Sequence, residues 1–409
     1  MEPEVASPRR WSVIAVYMAV NLVVQTLWIS YAPISRSAES YYGVSGFAIG
    51  ALAMVFMAAF LPLSIPASLL IDRRGHRVAV GLGGVVAGLC GVARGAVGPS
   101  YGWALLATVG IACTQPLLLN SWTTVAARWF PRRERATAVG LVTLANLVGT
   151  GVGMVLPPAL VAAHGPAVIG PMQLWIGMAA LVVGIAYPLL VTDRPARGDV
   201  DLAEHALQTH GMRHALSVGP FRRYLTAIFI GMGIFNGVTQ WVADIVAPRG
   251  FSATDAGNVG AAMLLGGVLG SVSLAAWSDR VDRRVPFLVA GLALAAPATL
   301  GIALASSLVG LLGSAFLLGF FLVSLMPIGM QYAVEITWPT PAGTSNGLVQ
   351  LCGQAAVVYV ALLYVARTPG GSYWPGLALS AALLLVGAMR FARAPESHEH
   401  HARASTLEG

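Results

Sequence analysis

Long apolar runs alternate with short polar breaks along this chain. The runs lie near 11–34, 46–71, 78–98, 102–127, 137–163, 171–192, 223–247, 257–277, 285–305, 308–333, 344–366 and 373–391. A helix needs roughly 20 apolar residues to cross a bilayer, so the pattern predicts twelve membrane-spanning helices. One polar interruption is long. Residues 193–222 carry Pro195, Asp199, Asp201, Glu204, His205, His210 and His214. They read as a cytoplasmic connector with a short amphipathic helix over 201–216, and the histidines as a solvated linker face. The resulting division is an N-terminal six-helix bundle over 1–192, the connector over 193–222, a C-terminal bundle over 223–392 and a cytoplasmic tail over 393–409. The tail's His398-Glu399-His400-His401 reads as a solvated end rather than a metal site.

The polar breaks repeat. Asp72-Arg73-Arg74-Gly75-His76-Arg77 returns about 207 residues later as Asp279-Arg280-Val281-Asp282-Arg283-Arg284. Tyr42-Gly43-Val44-Ser45 answers to Arg249-Gly250-Phe251-Ser252 at the same offset, and Thr137-Ala138-Val139-Gly140 to Thr344-Ser345-Asn346-Gly347. Duplicated punctuation between apolar runs marks two similar membrane halves, the plan of a carrier with its site between repeats.

Composition narrows the class. Hydrophobic residues make up 56% of the chain and charged ones 10%, a ratio that water could not solvate at this length. All the basic side chains counted as Lys and Arg are arginine. On alternate loops they gather on one side, while Arg36, Arg94, Arg249 and Arg367 fall on the other. The positive-inside rule then sets both termini in the cytoplasm, with the chain integral to the plasma membrane. It also accounts for the +7 net charge without nucleic acid. Arg94 is expected to snorkel to the outer interface. No cleavable signal peptide is evident. Cys90, Cys113 and Cys352 lie inside apolar runs and form neither a disulfide framework nor a metal spacing. No phosphate loop, metal-ligand cluster or nucleophile–base pair is present, so neither an enzyme nor a cofactor is expected.

The doubled loop suggests a gate. Asp72 can cap a neighbouring helix, Gly75 allows a tight turn and Arg77 can pair with a nearby carboxylate. Asp279 with Arg283 or Arg284 would do the same in the second half, with Arg73 and Arg280 at matching places. Glu335, at the inner end of the tenth run, would pair with a nearby arginine. This pattern resembles the signature loop of the major facilitator superfamily, although Ser68 and Ala275 stand where that family has glycine. The resemblance spans essentially the whole chain. It implies an all-α membrane fold of two pseudo-symmetric six-helix bundles, working by alternating access.

Further strings narrow it: Trp28-Ile29-Ser30-Tyr31, Arg128-Trp129-Phe130-Pro131, Asn146-Leu147-Val148-Gly149-Thr150, and Tyr332-Ala333-Val334-Glu335-Ile336-Thr337-Trp338-Pro339 closed by Gly343-Thr344-Ser345-Asn346-Gly347-Leu348. Together they resemble the feline leukaemia virus subgroup C receptor-related carriers of choline, ethanolamine and, historically, haem. The short, Arg-, Ala- and Gly-rich chain reads as a prokaryotic relative. The resemblance implies that the first and seventh helices line the cavity. Trp28 and Tyr31 on the first and Phe235 on the seventh would then offer ring faces to a cation. Trp241 and Tyr332 are weaker candidates, with packing favoured for Trp241. Gln25, Gln115, Asn120, Gln240, Gln331, Gln350 and Gln354 are polar groups in apolar surroundings, suited to orienting a headgroup. Leu147 stands where the relatives carry glutamine, which argues for weaker choline binding or another ligand.

The expected function is facilitative transport of a small polar or cationic solute by a monomer. A proton-coupled drug or metabolite efflux carrier is the alternative. Asp244 and Glu335, the only acids at issue, do not sit convincingly at mid-membrane. Haem export is disfavoured because no spanning helix carries a histidine to ligate iron.

Overall fold

The computed structural model describes residues 9–131, 134–192, 209–340 and 342–396. Half of the connector, 193–208, and the histidine-rich tail, 397–409, lie outside them. The chain divides into two compact units, Met1–Asp201 and Leu202–Gly409.

The first unit contains α1 (Arg9–Ile29), α2 (Ser35–Tyr42), α3 (Gly46–Ala96), α4 (Tyr101–Leu119), α5 (Ser121–Trp129), α6 (Arg135–His164) and α7 (Ile169–Leu190). The second contains α8 (Thr209–Ser217), α9 (Gly219–Val246), α10 (Ala253–Val281), α11 (Val285–Leu304), α12 (Leu308–Ile336), α13 (Ala342–Ala355), α14 (Val357–Val365) and α15 (Trp374–Phe391). Among the described residues no strand occurs. Eleven stretches among them are long and apolar enough to cross a membrane. Large apolar side chains such as Leu189, Leu304, Val309 and Val365 are more than two-thirds exposed, which only a lipid surround would tolerate. The chain is an integral membrane protein.

The longest stretch is α3. At 51 residues it would run about 75 Å if straight, more than twice the hydrocarbon thickness. Gly75 interrupts it with φ 80° and ψ 165°, a conformation essentially restricted to glycine. The tight turn expected there therefore separates two helical arms. At the equivalent place in the second unit, Asp282 ends α10 in the left-handed region with φ 54° and ψ 38°. Aspartate tolerates that region better than most residues. Gly75→Ala should consequently cost about 1–3 kcal/mol, whereas Asp282→Gly should be near neutral. Thermal unfolding of the two variants in detergent checks the contrast.

Close glycine contacts set the helix spacing, but by different seams in the two units. In the first, α3 and α7 approach through Gly84 against Gly184 and Gly91 against Gly177. A Cβ on Gly84 would lie 2.8 Å from the Gly184 Cα. In the second, α10 and α12 approach through Gly266, Gly270 and Gly319, where a Cβ would strike the carbonyls of Phe316, Phe320 and Met263. Small residues let membrane helices meet backbone to backbone.

Candidate substrate-binding site

The end of α1 is a built feature. Pro33 lacks an amide proton, and its ring would clash with the carbonyl of Ile29 if the helix continued. The helix stops at Ile29, and a 3-10 turn over Ala32–Ile34 leads into α2. Trp28 occupies the last turn. Its indole Nε1 donates to the Ala53 carbonyl of α3 at 3.2 Å, and the half-buried ring packs on the first unit's core. The hydrogen bond locks the plane of the indole. Gln25, one turn earlier, is half-buried. Tyr31 behaves differently from the expected open ring. It is buried, its hydroxyl pairs with Tyr42 at 2.8 Å, and the Arg94 guanidinium lies over its face at 5.1 Å. Its face is already occupied.

The amides of the first unit also diverge. Asn120 sits between α4 and α5, and its Nδ2 donates to the Ser64 carbonyl at 3.0 Å and to the hydroxyls of Ser64 and Ser68 at 3.1 Å. Those donors join helices. Gln115, one turn before, is buried, and its Oε1 has no partner, an acceptor still to be satisfied.

In the second unit, α9 loses helical geometry at Trp241, with φ −101° and ψ 15°. Gln240, just before that irregularity, is buried, as is Phe235 five residues earlier. Trp241 is enclosed. Its Nε1 donates to the Val360 carbonyl at 2.9 Å and its ring meets Tyr364 at 4.7 Å, so it packs as expected. Tyr332 is equally enclosed and donates to the Pro395 carbonyl at 3.0 Å. Gln331 is exposed and donates to Glu335 at 2.9 Å, which ties it to the charge cluster around Arg284. Gln350 and Gln354 are half-buried on α13, with Gln354 beside the break that Ala356 makes before α14. Near the opposite end of this unit, burial pushes the Tyr373 phenol up, and the Asp244 carboxylate adds to the effect.

Each copy of the doubled loop anchors an arginine. Arg77 donates through Nε and Nη2 to the Pro188 carbonyl at 2.9 and 2.7 Å, in the last turn of α7. Helix C-termini leave carbonyls unmet and carry partial negative charge, so this carbonyl is a natural acceptor for a guanidinium. His76 is fully buried beside it. Its Nδ1 meets the Tyr187 hydroxyl at 3.0 Å, and its Nε2 accepts from Trp129 Nε1 at 3.3 Å. Asp72 and Arg73 are exposed on the turn. In the second copy the buried arginine is Arg284. It bonds Asp279 and the Ser278 hydroxyl and lies 3.6 Å from Glu335. Arg280 and Arg283 are exposed. Of the two arginines that the sequence offers to Asp279, Arg284 is the one that bonds it. The Glu396 carboxylate accepts the amides of Arg284 and Val285 at 3.1 and 3.2 Å, capping α11.

Arg94 departs furthest from expectation. Rather than snorkelling, it is 1% exposed. Its Nη2 donates to the Leu27 carbonyl at 2.9 Å and to Gln173 Oε1 at 2.6 Å. A lone arginine in an apolar run was the only signal in the sequence.

Residues 12–247 and 242–408 each match the family model of the Major Facilitator Superfamily. Among curated proteins, the choline/ethanolamine transporter FLVCR1 of Mus musculus is 26% identical over 388 residues, spanning 87% of this chain and 69% of that one. Solute carrier family 49 member A3 of Danio rerio is 29% identical over 378 residues, spanning 88% and 79%. Among solved structures, an inward-facing, unoccupied bacterial homologue of the human lysosomal transporter Spinster superposes with a TM-score of 0.72. That alignment has 17% identity and covers 95% of this chain and 96% of that one.

Proposed function

The chain belongs to the Major Facilitator Superfamily, and from that premise we propose that it carries choline or ethanolamine across the plasma membrane by facilitated transport. The observation that bears most on this reading is Trp28. Its indole is held by Ala53 yet remains partly uncovered, and a fixed ring face attracts a quaternary ammonium. Phe235 is the corresponding ring of the second unit. Gln115 Oε1, buried and unpartnered, suits a substrate hydroxyl or amine proton. The names of the curated relatives point to the same substrates.

Counting the arms of α3 on either side of Gly75 separately turns the eleven apolar stretches into twelve spans. An even number puts both termini on one side, and the arginine bias makes that side cytoplasmic. The clusters around Arg77 and Arg284 then lie at the cytoplasmic face and serve as the gate. Glu335, shared between Arg284 and Gln331, belongs to that cluster rather than to a proton path. The working unit is a monomer.

Purified protein in liposomes should show saturable choline uptake that ethanolamine competes and that an imposed proton gradient leaves unchanged. Absence of choline flux together with absence of choline-dependent thermal stabilisation would overturn the substrate. Flux that follows the proton gradient would favour coupled efflux instead.

A further inference from the structure

Arg94 lies in the last turn of α3, buried within the first unit. Among the described residues no carboxylate pairs with it. Its Nε and Nη1 have no partner, so Nη2 carries both of its hydrogen bonds. Burying a guanidinium without a counter-charge is costly, and a methionine would fill similar space at less expense. The geometry shows what the guanidinium does there.

Where α1 stops, its last carbonyls lose their helical partners and form the negative end of the helix dipole. The Leu27 carbonyl is one of them, and Arg94 Nη2 meets it at 2.9 Å. The second bond, to Gln173 on α7, continues through Gln173 Nε2 to the Ser30 hydroxyl at 2.9 Å. The guanidinium plane then covers the Tyr31 ring at 5.1 Å. The network thus grips Leu27, Ser30 and Tyr31, the residues flanking Trp28, and leaves the Trp28 indole to its single bond with Ala53. Lysine could not reproduce it, since a point-like ammonium neither stacks in a plane nor presents donors in a fixed fork.

We propose that Arg94, acting with Gln173, is the positioning residue that fixes the broken end of α1 and so aims the Trp28 indole at the substrate ammonium. The proposal rests on the choline reading for its functional half and on the hydrogen-bond network for its structural half, and the test separates them. Arg94→Gln should raise the choline concentration for half-maximal flux by about tenfold at a nearly unchanged maximal rate, the scale of one lost hydrogen bond to a charged group. Arg94→Lys should recover only part of this, and Gln173→Leu should fall between. In a Trp28→Ala background Arg94→Gln should add nothing further, because the group it positions is gone. Hydrogen exchange should quicken at the amides of 28–34 in Arg94→Gln and Gln173→Leu while those of α6 stay protected.

Additive effects of the Arg94 and Trp28 substitutions would overturn the positioning role. Unchanged exchange at 28–34 would overturn it whatever the transport result. Faster exchange there with Trp28→Ala fully active would uphold the structural pin but overturn the aiming of Trp28 at the substrate, whereas absence of choline flux in the unsubstituted protein would reject the choline reading instead. Should Arg94→Gln fail to give monodisperse protein, Gln173→Leu carries the same comparison.

Discussion

Trp28→Ala is expected to raise the half-saturating choline concentration by about thirtyfold, because a desolvated cation–ring contact is worth roughly 2 kcal/mol. The indole is the partly uncovered aromatic at the end of α1, and Ala53 fixes its plane before any ligand arrives. Preorganisation of this kind means that little ordering has to accompany binding. Trp28→Phe should retain part of the affinity, since a smaller ring still offers a face. Trp28→Leu should lose as much as alanine while preserving most of the packing volume. The comparison separates ring electrostatics from bulk. Tyr31→Phe should differ from all three, because its hydroxyl serves Tyr42 and its face serves Arg94. Concentration-dependent flux in liposomes, with choline-induced thermal stabilisation as a second readout, measures the series. Equal half-saturation for wild type and Trp28→Leu would remove the indole from the site.

A second large effect is expected at the α3–α7 seam. A methyl group on Gly177 would collide with the backbone of Gly91 and Val92, not with the end of a side chain that could rotate away. The helices would have to separate, and separation would also open the neighbouring Gly84–Gly184 contact. Overpacking of a well-packed core costs about 1–3 kcal/mol for small groups and more when backbone must move. Gly177→Ala should therefore lower the unfolding temperature markedly, and Gly177→Val should prevent recovery of monodisperse protein. Gly140→Ala on α6 is the control, because nothing lies within 4 Å of a Cβ there. An unchanged unfolding temperature for Gly177→Val would mean that the seam is looser than its geometry indicates.

Much of this protein is legible in its sequence. Apolar run length identifies spanning helices because a bilayer demands internal hydrogen bonding over a set thickness. The repeat at about 207 residues located equivalent turns, and Gly75 and Asp282 do adopt positive φ at matching places. These are local properties: each depends on neighbours in sequence, so the sequence displays them.

Choice of partner is different. Arg77 reaches a helix-terminal carbonyl 111 residues away in sequence, and its counterpart Arg284 reaches Glu335 on another helix, partners that neither loop announces. Tyr31 and Trp28 stand three residues apart, yet one is spent on packing and the other is partly uncovered. Arg94 looked like a snorkelling charge, and it instead closes the end of a helix 67 residues away in sequence. The two units even draw their helices together through different glycines. Each of these outcomes depends on which carbonyl, carboxylate or backbone lies within about 3 Å after packing. That distance is a property of the tertiary arrangement, which is why the sequence determined the helices and their repeat while the folded bundles alone decided which side chains are free to meet a ligand.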